Sequence, residues 1–172
     1  GLILLMQMAL VGVFMANDGF LFYVFWEIAL IPIYFICLMW GSPGTSRITL
    51  KFFIYTFLGS LFMLVGLLYL YNHTGGVDGV KSWNVDALYA AGRNMNLKEQ
   101  SAVLWSIFIA FAIKIPIVPF HTWQPDTYVA APTQGTMLLS GIMLKMASFG
   151  LLKWLIPAVP LGLEAWGDFA LL

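Results

Sequence analysis

The stretch that decides the fold is residues 19–40, which read GFLFYVFWEIALIPIYFICLMW. A helix of about 20 mostly apolar residues, rising about 1.5 Å per residue, crosses a hydrocarbon core of about 30 Å. Glu27 is the one charged residue in this stretch, and the turn-forming residues 41–44, GSPG, end it. The stretch therefore predicts a transmembrane helix.

Similar apolar stretches recur along the rest of the chain. They predict spans at about 1–16, 50–71, 97–119 and 134–154, with the start of another at 161–172. The polar connection 72–95 separates two of these spans, and its residues 85–91 suit a short surface helix. We expect an all-α protein over residues 1–172: one partial transmembrane domain, a polytopic helix bundle with one proline-broken helix.

Composition supports a membrane protein and excludes several other classes. Hydrophobic residues make up 61% of the chain and charged residues 9%, against about half and about a quarter in soluble domains. The formal net charge is zero, so nothing favours a nucleic-acid partner. Cys37 is the only cysteine, which excludes an internal disulfide and cysteine clusters for zinc or iron–sulfur. We expect no metal on this chain.

The basic residues predict the orientation of the bundle. The loop 41–51 carries Arg47 and Lys51 and no acidic residue, so we expect it on the cytoplasmic side and the 72–95 connection on the other. Lys51 and Lys153 lie near helix ends and suit interfacial anchors whose long side chains reach the membrane surface. Trp123 and Trp154 suit aromatic anchors at the same depth.

Three ionisable side chains lie deep within the apolar spans: Glu27, Lys114 and Lys145. An unpaired charge at the bilayer centre costs about 2.5–3.5 kcal/mol, so such residues are functional by default. Glu27 has tyrosines on its helical face, and Lys145 lies on a face of small residues suited to close helix packing. We therefore expect Glu27 and Lys145 to face the interior of the bundle. The alternative is that the three charges only hold helices together.

Two prolines predict a break beside Lys114. Pro116 and Pro119 fall at the end of the 97–119 span, where each removes a backbone N–H donor. This leaves the carbonyls of Ala112 and Ile115 free of helical bonding. A broken helix beside a buried cation is a recurring form of ion pathway, because free carbonyls and water solvate a moving charge.

Glu27 and Lys114 are therefore the predicted core of such a pathway. The charge state of one buried group alters how firmly an oppositely charged neighbour holds its proton. His121, near the cytoplasmic edge, is a weaker candidate for relaying protons between this pathway and water. An interfacial histidine satisfied by water is an equally good interpretation.

Two stretches carry a family resemblance. The first is residues 22–34, FYVFWEIALIPIY, and the second joins AIKIP at 112–116, PFHTW at 119–123, PD at 125–126, APT at 131–133 and LLSGIMLK at 138–145. Together they resemble the M-type antiporter-like subunit of NADH:quinone oxidoreductase, respiratory complex I, over nearly the whole chain. The resemblance implies that Glu27 is the membrane glutamate, Lys114 its partner on the broken helix and Lys145 the central relay lysine. Tyr128 stands where the family commonly has histidine.

The resemblance also implies a function and partners. It implies proton translocation by the membrane part of a translocase, without redox chemistry on this chain, in a multi-pass subunit of the bacterial cell inner membrane. NADH, flavin, iron–sulfur clusters and quinone would belong to partner subunits, and the neighbours would be L-type and N-type antiporter-like subunits. The alternative is a subunit of a multisubunit cation/proton antiporter or a membrane-bound hydrogenase, which has the same charged helices.

Overall fold

The computed structural model describes residues 1–75 and 80–171, and it confirms the predicted all-α membrane bundle. Residues 76–79 of the polar connection, and Leu172, lie outside the described residues. The helices are α1 Leu2–Met15, α2 Gly19–Trp40, α3 Ser46–Asn72, α4 Val85–Arg93, α5 Leu97–Lys114, α6 Gln124–Ala130, α7 Thr133–Leu155 and α8 Pro160–Leu171.

Three of the described helices, α2, α3 and α7, are long and apolar enough to cross a membrane. Helix α1 is apolar but has 14 residues, and α5 has 18 residues with charges at both ends. Helix α5 ends at Lys114 rather than at the predicted residue 119. Pro116 and Pro119 therefore follow the helix instead of lying inside it, because the missing N–H of Pro116 stops helical bonding at that point.

Helices α3 and α5 approach each other closely at two glycines, Gly59 and Gly66 of α3. A Cβ atom on Gly59 would lie 2.7 Å from Ile113 Cδ1, and one on Gly66 would lie 2.7 Å from Ile107 Cγ1. Small residues allow this approach because they let two backbones come together in the membrane. The contact holds the last turn of α5, and with it Lys114, against α3.

We predict that Gly66→Val destabilises the bundle by about 1–3 kcal/mol, because the new side chain overpacks the α3–α5 contact. Gly141→Val is the matched control, since a Cβ at Gly141 meets no atom within 4 Å. Thermal unfolding of the purified membrane protein measures the difference. Equal midpoints for the two variants would contradict the close α3–α5 packing.

At the end of the bundle away from the helix break, hydrogen bonds tie three segments together. Lys153 Nζ of α7 donates to Ala16 O at 2.7 Å and to Asn17 Oδ1 at 2.8 Å, at the end of α1. The hydroxyl of Tyr89, on α4, donates to the carbonyl of Lys153. Lys153 thus cross-links α7 to the end of α1, and its role as an interfacial anchor stays a prediction. The predicted interfacial role of Trp154 is wrong, because Trp154 is buried within the bundle.

Helix α7 contains two π-helical segments, Leu139–Met143 and Leu151–Leu155. In each, a backbone N–H reaches the carbonyl five residues back: Leu144 bonds to Leu139, and Ile156 bonds to Leu151 at 3.1 Å. Such segments are local insertions in an α-helix and are frequent at functional sites. Lys145 follows directly after the first of them.

Candidate functional site

Lys114 is the last residue of α5, and its side chain is buried with 4% of its surface exposed. Its ammonium nitrogen lies 5.1 Å from the centroid of the Trp26 ring on α2, a cation–π arrangement. Trp26 in turn packs against Phe22 and Phe111. Within the described part of the chain, no hydrogen bond or ion pair reaches Lys114 Nζ, so its charge rests mainly against an aromatic face.

Glu27 lies next to Trp26 on α2 and is partly buried. The groups that interact with its carboxyl are the hydroxyls of Ser60 and Tyr23 and the ammonium of Lys114. Its Oε1 atom is buried and finds no hydrogen-bond partner among residues 1–75 and 80–171. Buried polar atoms are rarely left in this state, so this oxygen is open to a proton donor.

The structure brings Glu27 and Lys114 together without joining them directly. Each acts electrostatically on the other. Among the described residues, however, an ion pair joins Lys51 to Asp126, and no ion pair joins Glu27 to Lys114. The two groups are thus within electrostatic reach of each other but do not form an ion pair.

The backbone at the break differs from the sequence prediction at one carbonyl. The carbonyl of Ala112 was expected to be free, but Ile117 N–H donates to it at 2.9 Å. Because Ile117 bonds there, it leaves the carbonyl of Ile113 available, and the indole N–H of Trp123 donates to that oxygen at 2.8 Å. A buried carbonyl needs a partner, and the segment after Pro116 supplies a donor to each of these two carbonyls.

The sequence predicts Trp123 to be an interfacial anchor. In the structure it is instead part of the site. It is buried with 2% of its surface exposed, and its ring lies 5.1 Å from that of Phe52 on α3. Sequence reasoning missed this role because a tryptophan near a helix end is ordinarily an interface residue. The prolines nearby were the available signal, since they create carbonyls that need a donor.

Lys51 also has a role that the sequence did not reveal. Its Nζ donates to Asp126 Oδ2 at 2.9 Å and to the Thr122 carbonyl at 3.0 Å. Lys51 lies in the second turn of α3, and its two acceptors lie on either side of Trp123. A single cation thus connects α3 to both the turn after the break and helix α6.

Lys145 lies on an exposed face of α7 among the described residues, and its inward orientation stays a prediction. Lys145 is exposed, and its Nζ donates to the Ser140 carbonyl at 2.6 Å. Helix α7 packs through its opposite face, where Met146 and Ala147 are buried. The small-residue face that carries Lys145 is therefore left uncovered by α1–α6 and the described part of α8.

His121 is partly buried in the turn after the break, and its Nδ1 atom has no hydrogen-bond partner in the described ranges. The hydroxyl of Tyr128 is in the same state. No hydrogen bond, ion pair or electrostatic interaction within those ranges joins His121 or Lys145 to Glu27 or Lys114. No group of His, Cys, Asp and Glu that could hold a metal ion occurs among the described residues either.

A buried lysine at a proline-broken helix end, within electrostatic reach of a carboxyl group on another helix, is typical of membrane proteins that move protons or small cations. The chain matches the model of the NADH:quinone oxidoreductase/Mrp antiporter transmembrane family over residues 16–168. The chain belongs to this family.

Relatives within the family are similar over most of this chain. Subunit M of NADH-quinone oxidoreductase from Rickettsia typhi is 44% identical over 157 residues, and that from Escherichia coli K12 is 42% identical over 165. These matches cover 91% and 93% of this chain but 31% of each relative. The chain thus spans about a third of the length of the curated relatives it matches. The resemblance to the M-type antiporter-like subunit is confirmed.

Two solved structures share the fold. A chain of respiratory complex I from Thermus thermophilus with bound NADH superposes with a TM-score of 0.87 at 30% identity, covering 98% of this chain and 35% of that one. A chain of an archaeal membrane-bound sulfane sulfur reductase superposes with a TM-score of 0.82 at 25% identity, covering 98% and 34%. The fold is therefore common to respiratory membrane complexes with different redox partners.

Proposed function

We propose that this chain carries protons across a membrane as part of NADH:quinone oxidoreductase, with Glu27 and Lys114 as the exchanging pair. The observation that carries the proposal is the buried Lys114 at the broken end of α5, against Trp26 and within electrostatic reach of Glu27. A buried ammonium without a direct counter-ion changes its proton affinity when a nearby charge appears or moves. Protonation of one group thereby promotes release from the other.

Transfer between the two groups needs a carrier, because no direct ion pair joins them in the described part of the chain. A bridging water is the ordinary carrier over such a gap. The open Oε1 of Glu27 and the hydroxyls of Tyr23 and Ser60 supply polar partners for it. Lys145 would continue the relay, and His121 would connect the pair to the cytoplasmic side.

The same proposal implies partner subunits and a membrane location for the chain. The subunit M relatives support assembly with other membrane subunits of complex I, and we propose L-type and N-type antiporter-like subunits as the neighbours. Flavin, iron–sulfur clusters, NADH and quinone are then held by partner subunits, and this chain supplies translocation. The bacterial relatives support the cell inner membrane as its location.

The test measures cation specificity in inverted membrane vesicles that contain the full-length subunit. NADH addition is expected to acidify the vesicle interior, and a protonophore is expected to collapse the gradient without added sodium. Acidification that requires sodium and persists without quinone reductase subunits would contradict the proposal.

A second candidate is a subunit of a cation/proton antiporter or of another redox-driven membrane complex. The family model includes Mrp antiporters, and the sulfane sulfur reductase structure shares the fold. Purification of the full-length subunit through an affinity tag separates the candidates. Co-purifying NADH and quinone activity supports the first, and sodium-dependent exchange without that activity supports the second.

A further inference from the structure

We propose that Lys51 is a positioning residue for Lys114, acting through Asp126 and Trp123, so that the Lys51–Asp126 ion pair sets the geometry of proton exchange at the broken helix. This inference rests on the proposed function of the Glu27–Lys114 pair. It concerns residues on α3 and α6 that lie outside the pair itself.

The first step is the geometry of the ion pair. Lys51 Nζ donates to Asp126 Oδ2 at 2.9 Å and to the Thr122 carbonyl at 3.0 Å. The side chains of Lys51 and Asp126 are 45% and 52% exposed, so water competes for both and the pair adds little to stability. The effect of the pair is geometric, because the Lys51 ammonium binds Thr122 on one side of Trp123 and Asp126 on the other.

The second step is the position of Trp123. Phe52, the residue after Lys51, packs its ring 5.1 Å from the Trp123 ring. The hydroxyl of Thr127 donates to the Trp123 carbonyl at 2.5 Å. The indole of Trp123 is thus held by α3, and the backbone of Trp123 is held by α6.

The third step connects Trp123 to the lysine. The indole N–H donates to the carbonyl of Ile113, the residue before Lys114, at 2.8 Å. This carbonyl is available because Pro116 has no N–H, and the Ile117 N–H donates to the Ala112 carbonyl instead, at 2.9 Å. Trp123 therefore holds the last turn of α5, from which the Lys114 side chain extends.

The consequence concerns the separation between Lys114 and Glu27, the charged group that acts on Lys114 in the described residues. Electrostatic interaction between two charges varies inversely with their separation and rises steeply in a poorly solvated site. Loss of the Lys51 contact frees α6 and the turn before it, and the last turn of α5 then loses its indole donor. Proton exchange slows, and its dependence on pH changes.

The experiment replaces Lys51 in the full-length subunit within its assembled complex. Lys51→Gln is expected to lower the rate of NADH-driven proton uptake by about three- to tenfold and to shift the pH of half-maximal rate by about half a unit or more. Lys51→Arg keeps the cation and is expected to retain most of the rate. Arg47→Gln is the matched control, an exposed cation one turn earlier on α3, and is expected to leave both quantities unchanged.

Two further variants keep the inference testable if Lys51→Gln does not assemble. Exchanging the charges, Lys51→Asp with Asp126→Lys, is expected to recover rate over either single change. Trp123→Phe keeps a ring and removes the indole donor, and a three- to tenfold loss is expected, with the exposed Trp40→Phe as control. A normal rate and pH profile in Lys51→Gln or in Trp123→Phe, with Lys114→Ala inactive, overturns the positioning role alone. A normal rate in Lys114→Ala overturns the proposed function itself.

Discussion

Replacing Lys114 with arginine is expected to lower proton pumping at least about tenfold, although the positive charge is kept. Arginine holds its proton at any pH that a protein experiences, so it preserves charge and prevents release. Lys114→Ala, which removes both charge and proton, is expected to be equally inactive. A positioned proton-transfer group ordinarily contributes a hundredfold or more to a rate, which sets the scale of the loss.

Dye-monitored proton uptake in inverted vesicles, with NADH as the electron donor, measures this effect, and the amount of assembled complex on a native gel normalises it. Lys98→Ala is the control, because Lys98 lies on the same helix α5 and is exposed. Pumping restored by arginine would assign Lys114 to holding the helices together. The relay would then have to be abandoned.

Glu27→Gln is the second variant expected to stop pumping while the complex still assembles. Glutamine keeps the shape and hydrogen-bonding capacity of the side chain and removes only its ability to ionise. We expect a loss of about tenfold or more, with electron transfer from NADH to quinone falling in parallel because the proposed function couples pumping to redox chemistry. Glu27→Asp keeps a carboxyl group on a shorter stem, and we expect it to retain part of the rate.

The control for this variant is Glu164→Gln on α8, which changes an exposed carboxyl group. Its pumping is expected to match that of the unmodified protein. If Glu27→Gln abolishes assembly instead of transport, the buried charges act as structural contacts. If it pumps normally, Glu27 takes no part in proton transfer.

The fold followed from the sequence because membrane helices leave a strong signal. In lipid, an apolar run such as residues 19–40 can hydrogen-bond all its backbone groups only as a helix. Pro116 has no backbone N–H donor, so it interrupts helical bonding whatever the position of the helix in the fold. The end of α5 was placed too late because apolar residues continue past Lys114. Apolar character shows where a helix is tolerated, whereas the hydrogen-bond donors decide where it stops.

The site followed from the sequence less completely. Glu27 and Lys114 were identifiable because ionisable groups in apolar spans are costly. Trp123 and Lys51 were not, since their roles depend on the fold bringing α3, α6 and the turn after Lys114 together. The inward orientation of Lys145 stays a prediction, because the described helices leave its face of α7 uncovered.

The π-helical segments of α7 have a consequence for the comparison of related sequences. Each wide turn accommodates one additional residue, so side chains beyond it are rotated by about 100° relative to an uninterrupted α-helix. Residues Thr133–Leu138 and Leu144–Gly150 therefore do not share a common angular phase. Deleting one residue within Leu139–Met143 would leave a continuous helix, yet Lys145 would point in a different direction. A one-residue alignment gap within this π-helical segment thus changes the direction in which Lys145 points around the helix axis rather than the length of a loop.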